Sequence, residues 1–133
     1  MIFVDSSVWI DYFNGSNTWQ TDLLDELLPN FPVIIGELIL TEVLQGFRSD
    51  REFNAAKEYL SQLPFKKMGG YKLALQAADN YRLLRKKGIT VRKTIDVIIG
   101  TFCISKGFTL LHDDKDFEPM VTHLSLQVFA AYR

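Results

Sequence analysis

Three observations predict an α/β protein, a three-layer α/β/α sandwich around a short, mainly parallel central sheet. The apolar runs Ile2–Val4, Val33–Ile35 and Phe108–Leu111 are too short for helices and read as buried strands. Longer segments with helical apolar spacing separate them, as parallel crossovers require. The stretch from Thr94 to Ile104 is apolar around almost its whole circumference, which suits a helix buried at the centre. At 133 residues the chain forms one domain, residues 1–133, large enough for a real core.

Ile2–Val4 ends in Asp5-Ser6-Ser7, a strand handing over to a helix, and Val8–Phe13 continues helically to the turn signal Asn14–Asn17. Thr18–Leu28 is an amphipathic helix with Trp19, Leu23, Leu24, Leu27 and Leu28 on one side, bracketed by Pro29 and Pro32. After the strand Val33–Ile35 come helices at Glu37–Phe47 and Asp50–Leu63, the second stopped by Pro64. Phe65–Met68 is expected as a brief edge strand before Gly69-Gly70. Tyr71–Lys87 is the longest helical pattern, with Leu73, Ala74, Ala77, Ala78, Tyr81, Leu84 and Leu83 inward and Gly88 closing it. The Thr94 helix breaks at Lys106-Gly107, and the strand Phe108–Leu111 leads into the loop 112–117. A short helix over Glu118–Thr122 and a last strand at Leu126–Phe129 complete the expectation. Repeats, linkers and low-complexity tracts are missing.

The apolar share of 47% and the charged share of 23% are those of a soluble globular protein. No apolar run approaches the roughly 18 residues that span a bilayer, and the amino terminus lacks the pattern of a signal peptide, so a cytoplasmic protein is expected. A single cysteine, Cys103, excludes an intrachain disulfide and any thiolate metal cluster. The net charge of -1 conceals a division. Residues 57–93 carry ten basic residues against two acids, and the remainder five basic residues against fourteen acids. The basic run can attract a polyanion or serve as a solvated face, while the remainder concentrates carboxylates.

Several of those carboxylates stand at chemically costly places. Asp5 follows the first strand, and Asp113, Asp114 and Asp116 follow the strand at Leu110-Leu111. Asp96 lies in the first turn of the apolar helix, and Glu42 sits among apolar neighbours. Separately, Asp5 also fits a helix cap, Glu42 a helix-surface acid, and residues 113–116 a solvated turn. Asp96 gains from the helix dipole, with Thr94 as cap. Together they are expected to meet beyond the carboxyl ends of the strands, where such sheets place their sites. Two unit charges about 4 Å apart repel by about 4 kcal/mol at an effective dielectric near 20, and a divalent cation removes that objection. Oxygen ligands alone suit Mg²⁺ or Mn²⁺ rather than zinc. His112 and His123 are not spaced as ligands and read as structural or surface residues. Trp9, Tyr12, Phe13 and Trp19 read as packing residues ahead of base stacking, and Cys103 as core.

In order and spacing, four pieces resemble the PIN-domain ribonucleases, in particular the VapC toxins of bacterial toxin–antitoxin pairs. They are Ile2-Phe3-Val4-Asp5-Ser6-Ser7, Glu42 in its apolar helix, Thr94-Ile95-Asp96, and Leu110-Leu111-His112-Asp113-Asp114-Lys115-Asp116-Phe117. The resemblance runs nearly end to end. It implies a catalytic quartet of Asp5, Glu42, Asp96 and Asp114, with Asp5, Asp96 and Asp114 holding Mg²⁺ or Mn²⁺. It also implies Asp116 as an accessory acid and Ser7 as a nearby hydroxyl, with Thr94 either assisting or capping. The family often has Thr then Asn ahead of the last acids. Here His112 and Asp113 stand there, so Asp113 and Asp114 compete to face the metal, and Asp114 matches better.

The function so implied is a metal-dependent endoribonuclease toxin that activates a water, with Glu42 orienting it or acting as its base, and leaves a 5′-phosphate and a 3′-hydroxyl. A VapB-like antitoxin would silence it by placing a basic segment in the acidic pocket, and the toxin would form a homodimer. Arg82, Arg85, Lys86, Arg92 and Lys93 of the basic run would hold RNA phosphates, an effect that weakens with salt. Two other classes also gather acids. A receiver-like phosphate-handling module needs a phosphoacceptor aspartate after a middle strand and a lysine after a later one, neither of which is evident; a dehalogenase-type phosphatase needs a second aspartate where Ser7 stands. A non-catalytic RNA-binding module with an acidic pocket is the third class.

Overall fold

The structure, a computed structural model, describes residues 1–131. Its elements are β1 (Ile2–Val4), α1 (Ser6–Asn14), α2 (Trp19–Leu27), β2 (Val33–Ile34), α3 (Glu37–Gln45), α4 (Asp50–Ser61), α5 (Tyr71–Lys86), α6 (Thr94–Lys106), β3 (Thr109–Leu111) and α7 (Glu118–Leu124), with a 3₁₀ turn at Lys115–Phe117. The three strands form a wholly parallel sheet in the order β2-β1-β3, with Ile2 beside Val33 and Thr109, and Phe3 beside Ile34 and Leu110. The α/β sandwich expected from the sequence is the fold. Every residue of β1 and β2 is buried, as a parallel sheet covered by helices requires.

Two expected strands shrink to single bridges. Phe65 pairs only with Ile35, and Val128 only with Leu110, both in parallel. Pro64 cannot donate to a ladder, yet its carbonyl accepts from Ile35 N at 3.0 Å and Lys66 N returns a bond to Ile35 O at 2.9 Å. Contact there ends after one exchange. At the other edge Leu110 N donates to Gln127 O and Phe129 N to Leu110 O.

Side-chain capping explains the starts of three helices. Asp5 caps α1 by accepting from Ser7 N, Thr18 and Thr21 form a capping box on α2, and Ser49 accepts from Glu52 N on α4. Thr94 does not cap α6. Lys93 occupies the cap position without a side-chain bond, so Thr94 is the first helical residue and is exposed.

Helix α6 is the spine of the core, burying Val97, Ile99, Phe102 and Cys103, with Phe102 set edge-on between Phe3 and Phe108. Gly100 lies against the Met120 sulfur, and an added methyl there would overlap it. Gly107 ends the helix at φ 70°, a left-handed cap that glycine adopts without strain. On α5, Leu73, Ala77 and Leu84 are buried as expected, but Leu83 is exposed. Ala74 and Ala78, expected inward, are exposed and line a groove of about 420 Å³ between α5 and α6, with Tyr81, Arg82, Thr94, Val97 and Ile98. Trp9 is fully buried, with Phe13 stacked against it and Tyr12 and Tyr59 edge-on, whereas Trp19 is 37% exposed. Cys103 is core, and burial pushes its thiol pKa up. Among the described residues no helix is long and apolar enough to cross a membrane.

Candidate active site

The parallel register brings the carboxyl ends of β1 and β3 side by side. Asp5 N donates to Leu111 O at 2.9 Å, so the residues after both strands emerge together. Asp5 is 2% exposed; its Oδ2 accepts from Ser7 N at 3.1 Å and Ser7 Oγ at 2.6 Å, while its Oδ1 is buried without a partner. Ser7 Oγ in turn accepts from Asp113 N at 3.1 Å, tying the two strand ends together. Burial pushes the Asp5 carboxyl above its ordinary value, against the pull of the two Ser7 bonds.

Asp96, 3% exposed, stands in the first turn of α6. The helix dipole favours charge there, yet burial first, and then the charge of Asp114, push its pKa up to about 7. Its Oδ2 is buried with no hydrogen bond, 3.6 Å from Lys93 Nζ. After β3 the chain turns tightly: Asp114 Oδ1 accepts from Asp116 N at 2.9 Å, and Asp114 N donates to His112 Nδ1 at 3.1 Å. That turn points the Asp114 side chain inward and leaves Asp113 exposed, so of the two competing aspartates Asp114 faces the cluster. Burial raises the Asp114 pKa, but Lys93 Nζ, 2.7 Å from its Oδ2, and the Asp116 amide outweigh it and hold the carboxyl below its usual value.

One carboxylate oxygen from each of Asp96, Asp114 and Asp116 lies within 4.8 Å of the others. Asp5 is outside that trio, although its charge bears on Asp96 and that of Asp114 bears on Asp5. Asp116 is therefore more central than the sequence reading made it. The turn that bonds its amide to Asp114 sets the two acids side by side, and its Oδ2 is buried and unpartnered. Glu42, on α3, reaches the same place from the helix packed on α1. Its Oε1 accepts from Ser6 Oγ at 3.0 Å, and burial raises its pKa.

Ser6 and Lys93 are the residues whose roles the sequence did not disclose. Ser6 was visible only as one of a pair of serines. Lys93, grouped with the basic run, turns into the acidic cluster; its spacing three residues before Asp96 was the available signal. Arg82, Arg85, Lys86 and Arg92 remain exposed, with Arg85 over the Tyr81 ring and Arg82 on the groove wall beside Thr94. His112 is structural, as expected: Phe117 packs on its ring, Gln20 Nε2 donates to its carbonyl at 3.5 Å, and burial lowers its pKa.

The family model for the PIN domain matches residues 2–120. The chain belongs to the PIN-domain family. This PIN domain is 29% identical over 135 residues to ribonuclease VapC11 of Mycobacterium tuberculosis and to a VapC ribonuclease of Mycobacterium bovis, covering all of each chain. Its fold is shared with VapBC2 of Rickettsia felis bound to a promoter DNA fragment (TM-score 0.76, 17% identity, 97% of this chain and 98% of the other). FitAcB of Neisseria gonorrhoeae shares it at a TM-score of 0.74 and 16% identity, over 98% of this chain and 97% of that one. Another neighbour is VapC20 of Mycobacterium tuberculosis, described as a sarcin–ricin-loop-cleaving toxin (TM-score 0.66, 22% identity, 89% and 93% covered).

Proposed function

We propose that this PIN domain is a divalent-metal-dependent endoribonuclease and the toxin of a toxin–antitoxin pair. The observation that carries the reading is the convergence of Asp96, Asp114 and Asp116 beside Asp5, with Asp5 Oδ1, Asp96 Oδ2 and Asp116 Oδ2 buried and unbonded. Buried unpartnered carboxylate oxygens are costly, and a hard cation satisfies them. The donor set contains oxygen alone, which fits Mg²⁺ or Mn²⁺. Asp96 and Asp114 would hold the ion directly with Asp5 or Asp116, the remaining acid binding its hydration shell. Such an ion, when bound, acidifies water and offsets charge on a phosphodiester.

This chain's own residues supply the rest. Glu42, fixed by Ser6 and raised by burial, takes a proton from the attacking water. Ser7 keeps Asp5 and the Asp113 backbone in register, so the acids need no rearrangement. Water attacks phosphorus in line as the bond from phosphorus to the 3′-oxygen breaks, and that oxygen takes a proton from solvent, leaving a 5′-phosphate and a 3′-hydroxyl. Arg82, Arg85, Lys86 and Arg92 hold flanking phosphates. The names of the relatives, ribonucleases and VapBC complexes, support the substrate and an antitoxin partner. A homodimer is part of the same proposal.

The test is incubation of the purified protein with structured RNA in Mg²⁺, Mn²⁺ or EDTA, with sequencing of the ends. Cleavage that requires the ion and leaves 5′-phosphates is expected, and is lost in Asp114→Asn. Cleavage insensitive to EDTA would overturn the proposal.

A further inference from the structure

Fifteen lysines and arginines share the chain with sixteen acids, yet among the described residues every ion pair belongs to one lysine. Lys93 Nζ lies 2.7 Å from Asp114 Oδ2 and 3.6 Å from Asp96 Oδ2. We propose that the Lys93 ammonium is a tethered cation of the acidic cluster, which a divalent ion must displace from Asp114 and Asp96 in order to bind. This rests on the metal reading above, and concerns a residue rather than the metal site itself.

Geometry gives the lysine both its grip and its release. Lys93 is the cap residue of α6, and its carbonyl accepts from Asp96 N at 3.1 Å, so backbone and carboxylates share one turn. A cation at a helix N-terminus is opposed by the helix dipole, and the side chain makes no capping bond, so helix stability does not account for its place. The Asp114 carboxylate accounts for it. The Asp114 side chain is 17% exposed, whereas the lysine side chain is 52% exposed. The lysine therefore has solvent to swing into, and an ion pair so exposed on one side is weak enough to break. Arg92 and Lys115, its basic neighbours in sequence and in the turn, are exposed and make no ion pair among the described residues.

A tethered ammonium and a divalent ion cannot both hold the same oxygens, so the lysine lowers the apparent metal affinity. Removing it is expected to tighten Mn²⁺ binding about tenfold, the equivalent of roughly 1.4 kcal/mol. The experiment measures the Mn²⁺ dissociation constant, from the signal of free ion in paramagnetic resonance, for the full chain and five variants, Asp114→Asn among them. Lys93→Met and Lys93→Gln should each bind about tenfold more tightly, and Lys93→Arg, which keeps the charge, within about threefold of the parent. Lys106→Met removes a like charge at the other end of α6, roughly 20 Å away, and should change nothing. In a parallel titration with Mg²⁺, the Lys93 Cε and Nζ resonances of the parent protein should move toward those of a solvated lysine.

Parent and Lys93→Met constants within twofold of each other, or a Lys93→Arg constant as low as that of Lys93→Met, would overturn the tethered-cation proposal and leave the metal reading standing. Failure of the parent protein and Asp114→Asn alike to bind Mn²⁺ would instead overturn the metal reading, and this inference with it.

Discussion

Asp96→Asn should make the protein inactive and, in EDTA, more stable. The carboxyl is 3% exposed, and its pKa is pushed from an ordinary 3.8 up to about 7 by burial and by Asp114. In the unfolded chain the acid ionises near pH 4; in the fold it holds its proton to near pH 7. Ionising it therefore counts against the fold, from nothing below about pH 4 to a full penalty above about pH 7. Three pKa units correspond to about 4 kcal/mol, an upper limit for a carboxyl beside a lysine. Allowing for the lost Lys93 contact and the amide's own unmet hydrogen bonds leaves a net gain of about 1–2 kcal/mol at pH 8. For a domain of this size that raises Tm by roughly 4–10 °C. Thermal unfolding in EDTA at pH 5 and pH 8 checks it: the variant's advantage should be largest at pH 8 and small at pH 5. Saturating Mg²⁺, about one hundred times Kd, should then raise the parent by about 2.7 kcal/mol and the variant far less. A variant less stable than the parent at pH 8, or an advantage independent of pH, would refute the view that Asp96 is a buried charge awaiting a cation.

Glu42→Gln keeps the Ser6 bond but removes the proposed base, so single-turnover cleavage should fall about 10²–10⁴-fold with Mn²⁺ affinity changed little. Gly100→Ala drives a methyl into the Met120 sulfur and should cost about 1–3 kcal/mol in urea unfolding, partly recovered by Met120→Leu. Replacing Arg82, Arg85 and Lys86 together by Ala should weaken RNA binding and flatten its salt dependence by about two units of slope while leaving Mn²⁺ affinity intact, which filter binding across a salt series would read.

The fold was largely legible because period and punctuation agree. Ile2–Val4 and the segments around Val33 and Leu110 are short apolar runs, and Asp5, Gly88 and Gly107 stand where helices begin or end. What escaped depended on pairing rather than pattern. Phe65–Met68 and Leu126–Phe129 have strand composition, but whether a partner runs alongside for one residue or four is a matter of tertiary geometry. Ala74 and Ala78 fit the inward stripe of α5 yet form the wall of an open groove, since how closely α6 covers that stripe is set by tertiary packing. At the site, the choice of Asp114 over Asp113 was anticipated from the match of motifs, and its cause is a three-residue turn. The prominence of Asp116 and the inward reach of Lys93 were not anticipated, since both follow from where a side chain lands after a turn or a cap.

The two one-residue bridges at Phe65 and Val128 have a consequence for the molecule in concentrated solution. A parallel sheet of only three strands has two flanks, and an open flank offers bare amides and carbonyls to any extended chain that drifts past. Here each flank is occupied by a segment that joins at one point and then leaves, with a proline beside one of them. Neither offers a continuous row for a second molecule to zip onto, so the small sheet is guarded against edge-to-edge aggregation by segments that contribute almost nothing to its width.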